Sequence, residues 1–210
     1  MSGVRILAPV LPAALTDAAA WPGGELAGAR LHGASLAGED LRECRLEGCR
    51  VESCRLLGCD LRGAVFRDCV FVNCDFSGSN LRDIWFLRCT LTGVRAEGAD
   101  VSGARLEHVL LKDSRLEGVN LDGASLAGCV FADCRMAGAW LTGLRARDWK
   151  LERCDLTRAS VVGTLLRDQD LSEGSIEGLV LSESAAELRG AVVSPLQAVE
   201  LARLLGVRVR

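Results

Sequence analysis

From Leu26 to Leu181 every fifth residue belongs to one apolar phase that never slips. Its 32 positions hold 20 Leu, 5 Phe, 3 Val, 2 Ala, Met136 and Ile176, and they include every Phe of the chain. A second phase lies two residues earlier, and 23 of its 32 members are Ala, Cys, Ser, Gly or Thr. All ten cysteines fall there: Cys44, Cys49, Cys54, Cys59, Cys69, Cys74, Cys89, Cys129, Cys134 and Cys154. Two residues after the Leu phase, Gly recurs 17 times. A helix repeats every ~3.6 residues and a strand every ~2, so a period of five lets neither run on. A large and a small residue two apart share one side of a short extended segment. Gly then suits a corner where the backbone turns sharply. Each five-residue unit is one side plus one turn, and stacked coils satisfy their backbone groups between neighbours, as in a parallel sheet.

This pattern, A/C-x-L/F-x-G, resembles the pentapeptide-repeat family over residues 24–183. The resemblance implies an all-β, right-handed quadrilateral β-helix with four units, hence twenty residues, per coil. The 32 units then make about eight coils, some 38 Å long at the strand spacing of about 4.8 Å. The four sides are called here after their first large residues, Leu26, Leu31, Leu36 and Leu41. At Ala96 and Ala146 the large phase is small, and the small phase two residues earlier enlarges to Val94 and Leu144. Such an exchange is what two side chains filling one interior require. Ile84, Trp149 and Gln169 are oversized without compensation, and a widened or distorted coil is expected at each.

The ends differ from the repeat. Residues 1–23 carry a Pro-broken apolar stretch, expected to cap the first coil rather than to serve as a signal peptide. Residues 184–210 contain a helix signature: Ser194 as cap, Pro195 at the first helical position, Gln197 closing a capping box and Gly206 as the stop. Its apolar face is read as Leu196, Val199 and Leu204. This element is similar to the C-terminal helix of the quinolone-resistance branch of the family (Qnr and MfpA proteins), which implies a homodimer through Leu196, Val199 and Leu204.

No catalytic constellation stands out. The cysteine spacing follows the repeat instead of the C-x2-C of zinc sites. The Cys are therefore read as small apolar fillers, and inward unpaired thiols point to a reducing, cytoplasmic setting. His32 and His108 fall on outward positions away from any nucleophile. A solid rod has no pocket, so no enzyme activity, cofactor, metal or small-molecule substrate is expected. The net charge of −3 argues against direct nucleic-acid binding, and no apolar run is long enough to cross a membrane.

Function is then expected on the outer surface. The Leu41 side carries seven acids (Asp40, Glu43, Asp60, Asp83, Asp100, Asp122, Glu183) against Arg42, Arg62 and Arg82. One column on it reads Asp40, Asp60, Asn80, Asp100, Asn120, and with Asp83 and Asp122 it forms a candidate acidic interaction face. Resemblance to the Qnr and MfpA branch implies that such a face imitates DNA, binds DNA gyrase and protects it from quinolones. The alternative is a protein-interaction scaffold with an unknown partner, using the apolar column Val70, Thr90, Leu110 and Val130 on the Leu31 side.

Overall fold

The computed structural model describes residues 4–18, 21–204 and 206–209. Short extended segments pair in parallel with the segment twenty residues on. On the Leu26 side these are β2 (Glu25–Ala27), β4 (Arg45–Glu47) and β6 (Val65–Arg67); on the Leu31 side, β3 (Ala29–His32), β5 (Arg50–Glu52) and β7 (Val70–Val72). From the fourth level the two sides run through their shared corner as β8 (Trp85–Thr92), β9 (Arg105–Lys112), β10 (Ser125–Ala132) and β11 (Arg145–Glu152). The other two sides are joined by single bridges. One ladder runs Asp40, Asp60, Asn80, Asp100, Asn120, Trp140, Ser160, Val180, and its counterpart runs from Ser35 to Ser175. Each ladder has eight rungs, so the chain is an all-β solenoid closed by a short C-terminal helix.

Both inward phases are buried almost throughout from Leu31 to Ile176; Glu39 is exposed, and Ala34, Ala146 and Gly174 are half-buried. Phe66, Phe71, Phe76 and Phe86 form one aromatic cluster with ring centroids 5.2 to 6.2 Å apart. The thiols also fill polar roles: each of Cys49, Cys69, Cys89 and Cys129 donates to the carbonyl 23 residues earlier, as do the Ser79 and Thr164 hydroxyls. Val94 and Ala96 both point inward, yet the exchange of sizes is incomplete. A wholly apolar cavity of about 50 Å³ remains among Phe76, Val94, Ala96, Leu116 and neighbouring large residues.

The corner position adopts the left-handed conformation at every fifth residue from Gly23 to Gly178, Glu173 excepted. Gly occupies eighteen of these corners; of the remaining thirteen, seven are Asp or Asn, the non-glycine types that tolerate positive φ best. Ile84 is fully buried with an ordinary corner beside it. Gln169 marks a real change, because the strand sides stop there. Its side-chain oxygen accepts the Leu151 N–H (2.9 Å) and its amide donates to the Trp149 carbonyl (3.0 Å), standing in for backbone groups of a further strand.

Beyond Gln169 the segment 187–192 finishes the ladder: Leu166, Asp168 and Leu171 donate to the carbonyls of Glu187, Gly190 and Val192. The buried Glu187 accepts from the Gly163 N–H and the Ser182 hydroxyl, both at 2.9 Å. Helix α1 (Pro195–Leu204) then lies on the end. Its capping box forms, with Ser194 N–H to Gln197 Oε1 at 2.8 Å and Gln197 N–H to Ser194 Oγ at 3.3 Å. Gln197 also donates to the carbonyls of Leu171 and Gly174, pinning the helix to the last coil. Gly206, at φ +79°, stops the helix.

At the other end β1 (Thr16–Ala18) pairs in parallel with β3 and covers its open edge. The chain before it forms a strap along the corner between the Leu26 and Leu31 sides. A Cβ added to Gly48 would lie 3.0 Å from Pro12 Cδ, and one added to Gly128 would lie 3.5 Å from the Arg5 carbonyl oxygen. Midway, the Val10 N–H donates to Asp68 at 3.1 Å.

Candidate interaction surface

The acidic column of the Leu41 side is drawn into one in-register ladder, as its twenty-residue spacing requires. Its carboxylates are engaged locally. Arg42 binds Asp40 with Nη2 to Oδ2 at 2.6 Å, Arg62 binds Asp60 at 2.6 Å, and Arg82 approaches Asp100 at 4.0 Å. The hydrogen-bonded guanidiniums of Arg42 and Arg62 hold Asp40 and Asp60 below the usual carboxylate range. Asp100 accepts from Asn120 Nδ2 (3.1 Å) and from the Ser102 N–H, while Asp122 accepts from the Thr142 N–H (3.1 Å). Asp40, Asp60 and Asp100 thus accept the amide two residues on, and in doing so they set the turn. Asp83 stands at a corner, with φ +58°. The ladder continues upward into Trp140, 56% exposed, and Val180, 47% exposed.

On the Leu31 side Val70, Thr90, Leu110 and Val130 stack in register through β7 to β10. The first three are half-buried, and Val130 is buried. The column is therefore only partly open to a partner. On α1 the side turned to the rod is Gln197 and Leu201, both buried. Leu196 is 80% exposed, Leu204 is also exposed, and Val199 is half-buried, so the three residues read from the sequence lie away from the core. Among the described residues no group of three or more His, Cys, Asp or Glu is placed to hold a metal, and no helix is long and apolar enough to cross a membrane.

A twenty-residue coil with two inward residues per side is a geometry with a family behind it, and the family model for the pentapeptide repeat region matches residues 24–95 and 64–139. The chain belongs to the pentapeptide-repeat family. Its members are generally non-catalytic. Solved structures similar to this pentapeptide-repeat chain include QnrB1, a plasmid-mediated fluoroquinolone resistance protein, at 18% identity and a TM-score of 0.37 over 89% of this chain and 91% of that one. HetL, involved in heterocyst differentiation regulation in the cyanobacterium Nostoc, is 22% identical over 81% and 89% with a TM-score of 0.31. A pentapeptide repeat protein of the Arabidopsis thaliana thylakoid lumen is 23% identical over 48% and 66% with a TM-score of 0.42. No curated protein matches the sequence.

The pentapeptide-repeat rod also joins residues that the five-residue reading passes over. Asp68 and Arg88 pair at one corner, and Asp133 and Arg153 at another. Burial raises the pKa of Asp68, but the bonds from Arg88 and the Val10 N–H outweigh it and leave the carboxyl below its ordinary value. Trp85 lies between the guanidiniums of Arg67 and Arg105, at 5.9 and 5.7 Å from its ring centroid. The two ion pairs and the Trp85–Arg105 contact are i, i+20 pairs, which reading the outward residues at the coil period exposes, while Arg67 reaches Trp85 across eighteen residues.

Proposed function

We propose that this pentapeptide-repeat chain is a non-catalytic interaction protein: two copies join through the outer face of α1, and the paired rods offer the Leu41 side to a protein partner. The observation that carries this reading is the exposed apolar face of α1, where Leu196 is 80% exposed while Gln197 and Leu201 on the opposite face fix the helix to the rod. A helix that is pinned on one face and apolar on the other fits a two-fold contact in which the same patch meets itself. Light scattering on the full chain is expected to give twice the chain mass, and removal of residues 194–210 is expected to halve it while the strand circular dichroism persists. A full-length monomer at tens of micromolar overturns the dimer.

A second reading, imitation of DNA toward DNA gyrase, is favoured by the in-register Asp40–Asp60–Asn80–Asp100–Asn120 ladder. Phosphates of duplex DNA supply about one charge per 1.7 Å. Here Arg42, Arg62 and Arg82 answer Asp40, Asp60 and Asp100 and offset their charge, which favours the protein-partner reading. A supercoiling assay with and without a fluoroquinolone separates the two. Inhibition or drug rescue, weakened by salt and by reversal of Asp60 and Asp100 to Lys, establishes the imitation; no effect leaves the protein partner.

A further inference from the structure

In the Ser35–Ser175 ladder of the Leu36 side, Arg55–Asp75–Arg95 and Arg135–Asp155 set opposite charges on neighbouring rungs. The middle of the ladder breaks that rule: Arg95, Arg115 and Arg135 stack directly on one another through parallel bridges. Like charges opposite each other weaken a sheet, and opposite charges strengthen it. Arg42, Arg62 and Arg82 also stack, but Asp40, Asp60 and Asp100 answer them. Arg95, Arg115 and Arg135 are exposed, and their guanidiniums make no ion pair or hydrogen bond among the described residues. The acids two residues on are less exposed. Glu97 and Glu117 are half-buried; Glu97 accepts the Ser77 hydroxyl at 2.7 Å, and one oxygen of Glu117 is buried. At the ends of the run Asp75 and Asp155 are held by the hydroxyls of Ser77 and Thr157. The corner beside the run is bare: a Cβ added at Gly98, Gly118 or Gly138 would meet nothing within 4 Å.

We propose that Arg95, Arg115 and Arg135 form a docking row for an acidic helix of another protein, which presents one carboxylate to each guanidinium. The spacing supports a helix. Carboxylates at i, i+4 and i+7 span about 10.5 Å at a rise of ~1.5 Å per residue. The outer two arginines stand two rungs apart, about 9.6 Å, and the rotamer freedom of Arg absorbs the difference. Three same-face residues of a strand would span about 13 Å. The pattern of charge sets the class of partner. A uniform polyanion such as a nucleic-acid backbone would also have to pass Glu97 and Glu117 beside the row and the acids at its ends. A helix carries its carboxylates in one stripe and can place neutral residues on either flank. Guanidinium–carboxylate pairs favour two parallel hydrogen bonds, which gives such a partner a defined register. The row lies on a different side from the Asp40–Asn120 ladder and uses no residue of α1, so it stands whether or not the chain dimerises.

The test follows the fluorescence anisotropy of a labelled, Ala-based helical peptide of ~20 residues with glutamates at i, i+4 and i+7, titrated with the full-length protein. Saturable binding is expected, weakening about tenfold between ~50 and ~200 mM salt. Arg115→Glu is expected to weaken it by at least about tenfold. That variant keeps the fold, because a carboxylate between Arg95 and Arg135 restores the alternation seen at the ends of the column, and its melting temperature should match or exceed the parent's. Arg30→Glu, a reversal of an exposed charge on the Leu31 side, is the control for net charge and should leave binding unchanged. Absence of binding at low salt overturns the proposal, as does full binding by Arg115→Glu. Equal binding of a peptide with the same glutamates scattered around the helix, or tighter binding of duplex DNA, overturns it as well.

Discussion

Ala96→Val is expected to stabilise the protein, against the usual sign for a substitution in a packed core. Ala96 sits between Phe76 and Leu116 on the Leu36 side and borders the apolar cavity of about 50 Å³. The two added methyl groups enter space that already exists. At roughly 24 cal/mol per Å³ of cavity, filling it is worth about 1.2 kcal/mol. For a chain of this size that raises the melting temperature by about 2–5 °C. Ala64→Val is the matched control, because Ala64 is fully buried and does not border the cavity. There the same methyls overpack the coil, at a cost of about 1–3 kcal/mol. Urea denaturation of the two variants and the parent, with the slope compared as well as the midpoint, reads both effects. If Ala96→Val lowers the midpoint as Ala64→Val does, Val94 has filled the coil and the cavity reasoning fails.

Gln197→Ala removes the reciprocal half of the capping box and the side-chain donor to the Leu171 and Gly174 carbonyls, of which Leu171 keeps only the Gly174 N–H. Protection of α1 amides from hydrogen exchange is expected to fall at least tenfold, at a cost of about 1–3 kcal/mol, while coils before Cys134 stay unchanged. Acidification is expected to free the strap. Asp68 titrates below its unfolded value of ~3.9, so its contribution is present above that pH and is lost as the pH falls through the lower folded value. Exchange at residues 4–12 should therefore rise below about pH 4, and Asp68→Asn should show the raised exchange already at pH 7. Phe76→Asp buries an unpaired charge beside Phe71 and is expected to abolish folding; a soluble, fully folded variant refutes the inward register of the Leu phase.

The repeat made the inward residues, the corners and the stacking order readable, because period five admits one arrangement of sides and turns. The Ser194–Gln197 box was equally readable, since capping is local and its four residues lie in sequence. What the sequence did not disclose depends on how far side chains reach, within one rung as well as across the coil of twenty. The acids of the Leu41 side count as seven against three until Arg42 and Arg62 are seen to reach Asp40 and Asp60. The cavity beside Ala96 follows from how far Val94 extends, a matter of ångströms that volume counting by residue type does not resolve. The Pro-broken stretch predicts a cap on the first coil, and β1 covers that edge, but nothing in residues 4–12 names the corner they lie against.

That strap sets an order of assembly. It runs against the direction in which coils are added, so Arg5, made before any coil, rests against Gly128, made much later. At synthesis rates of roughly 5–20 residues per second, about 6–25 s separate the two. During that interval each new coil can close on the one before it, whereas Ile6, Leu7, Val10 and Leu11 have no finished corner to rest on. A segment made ahead of every coil is thus among the last to find its place.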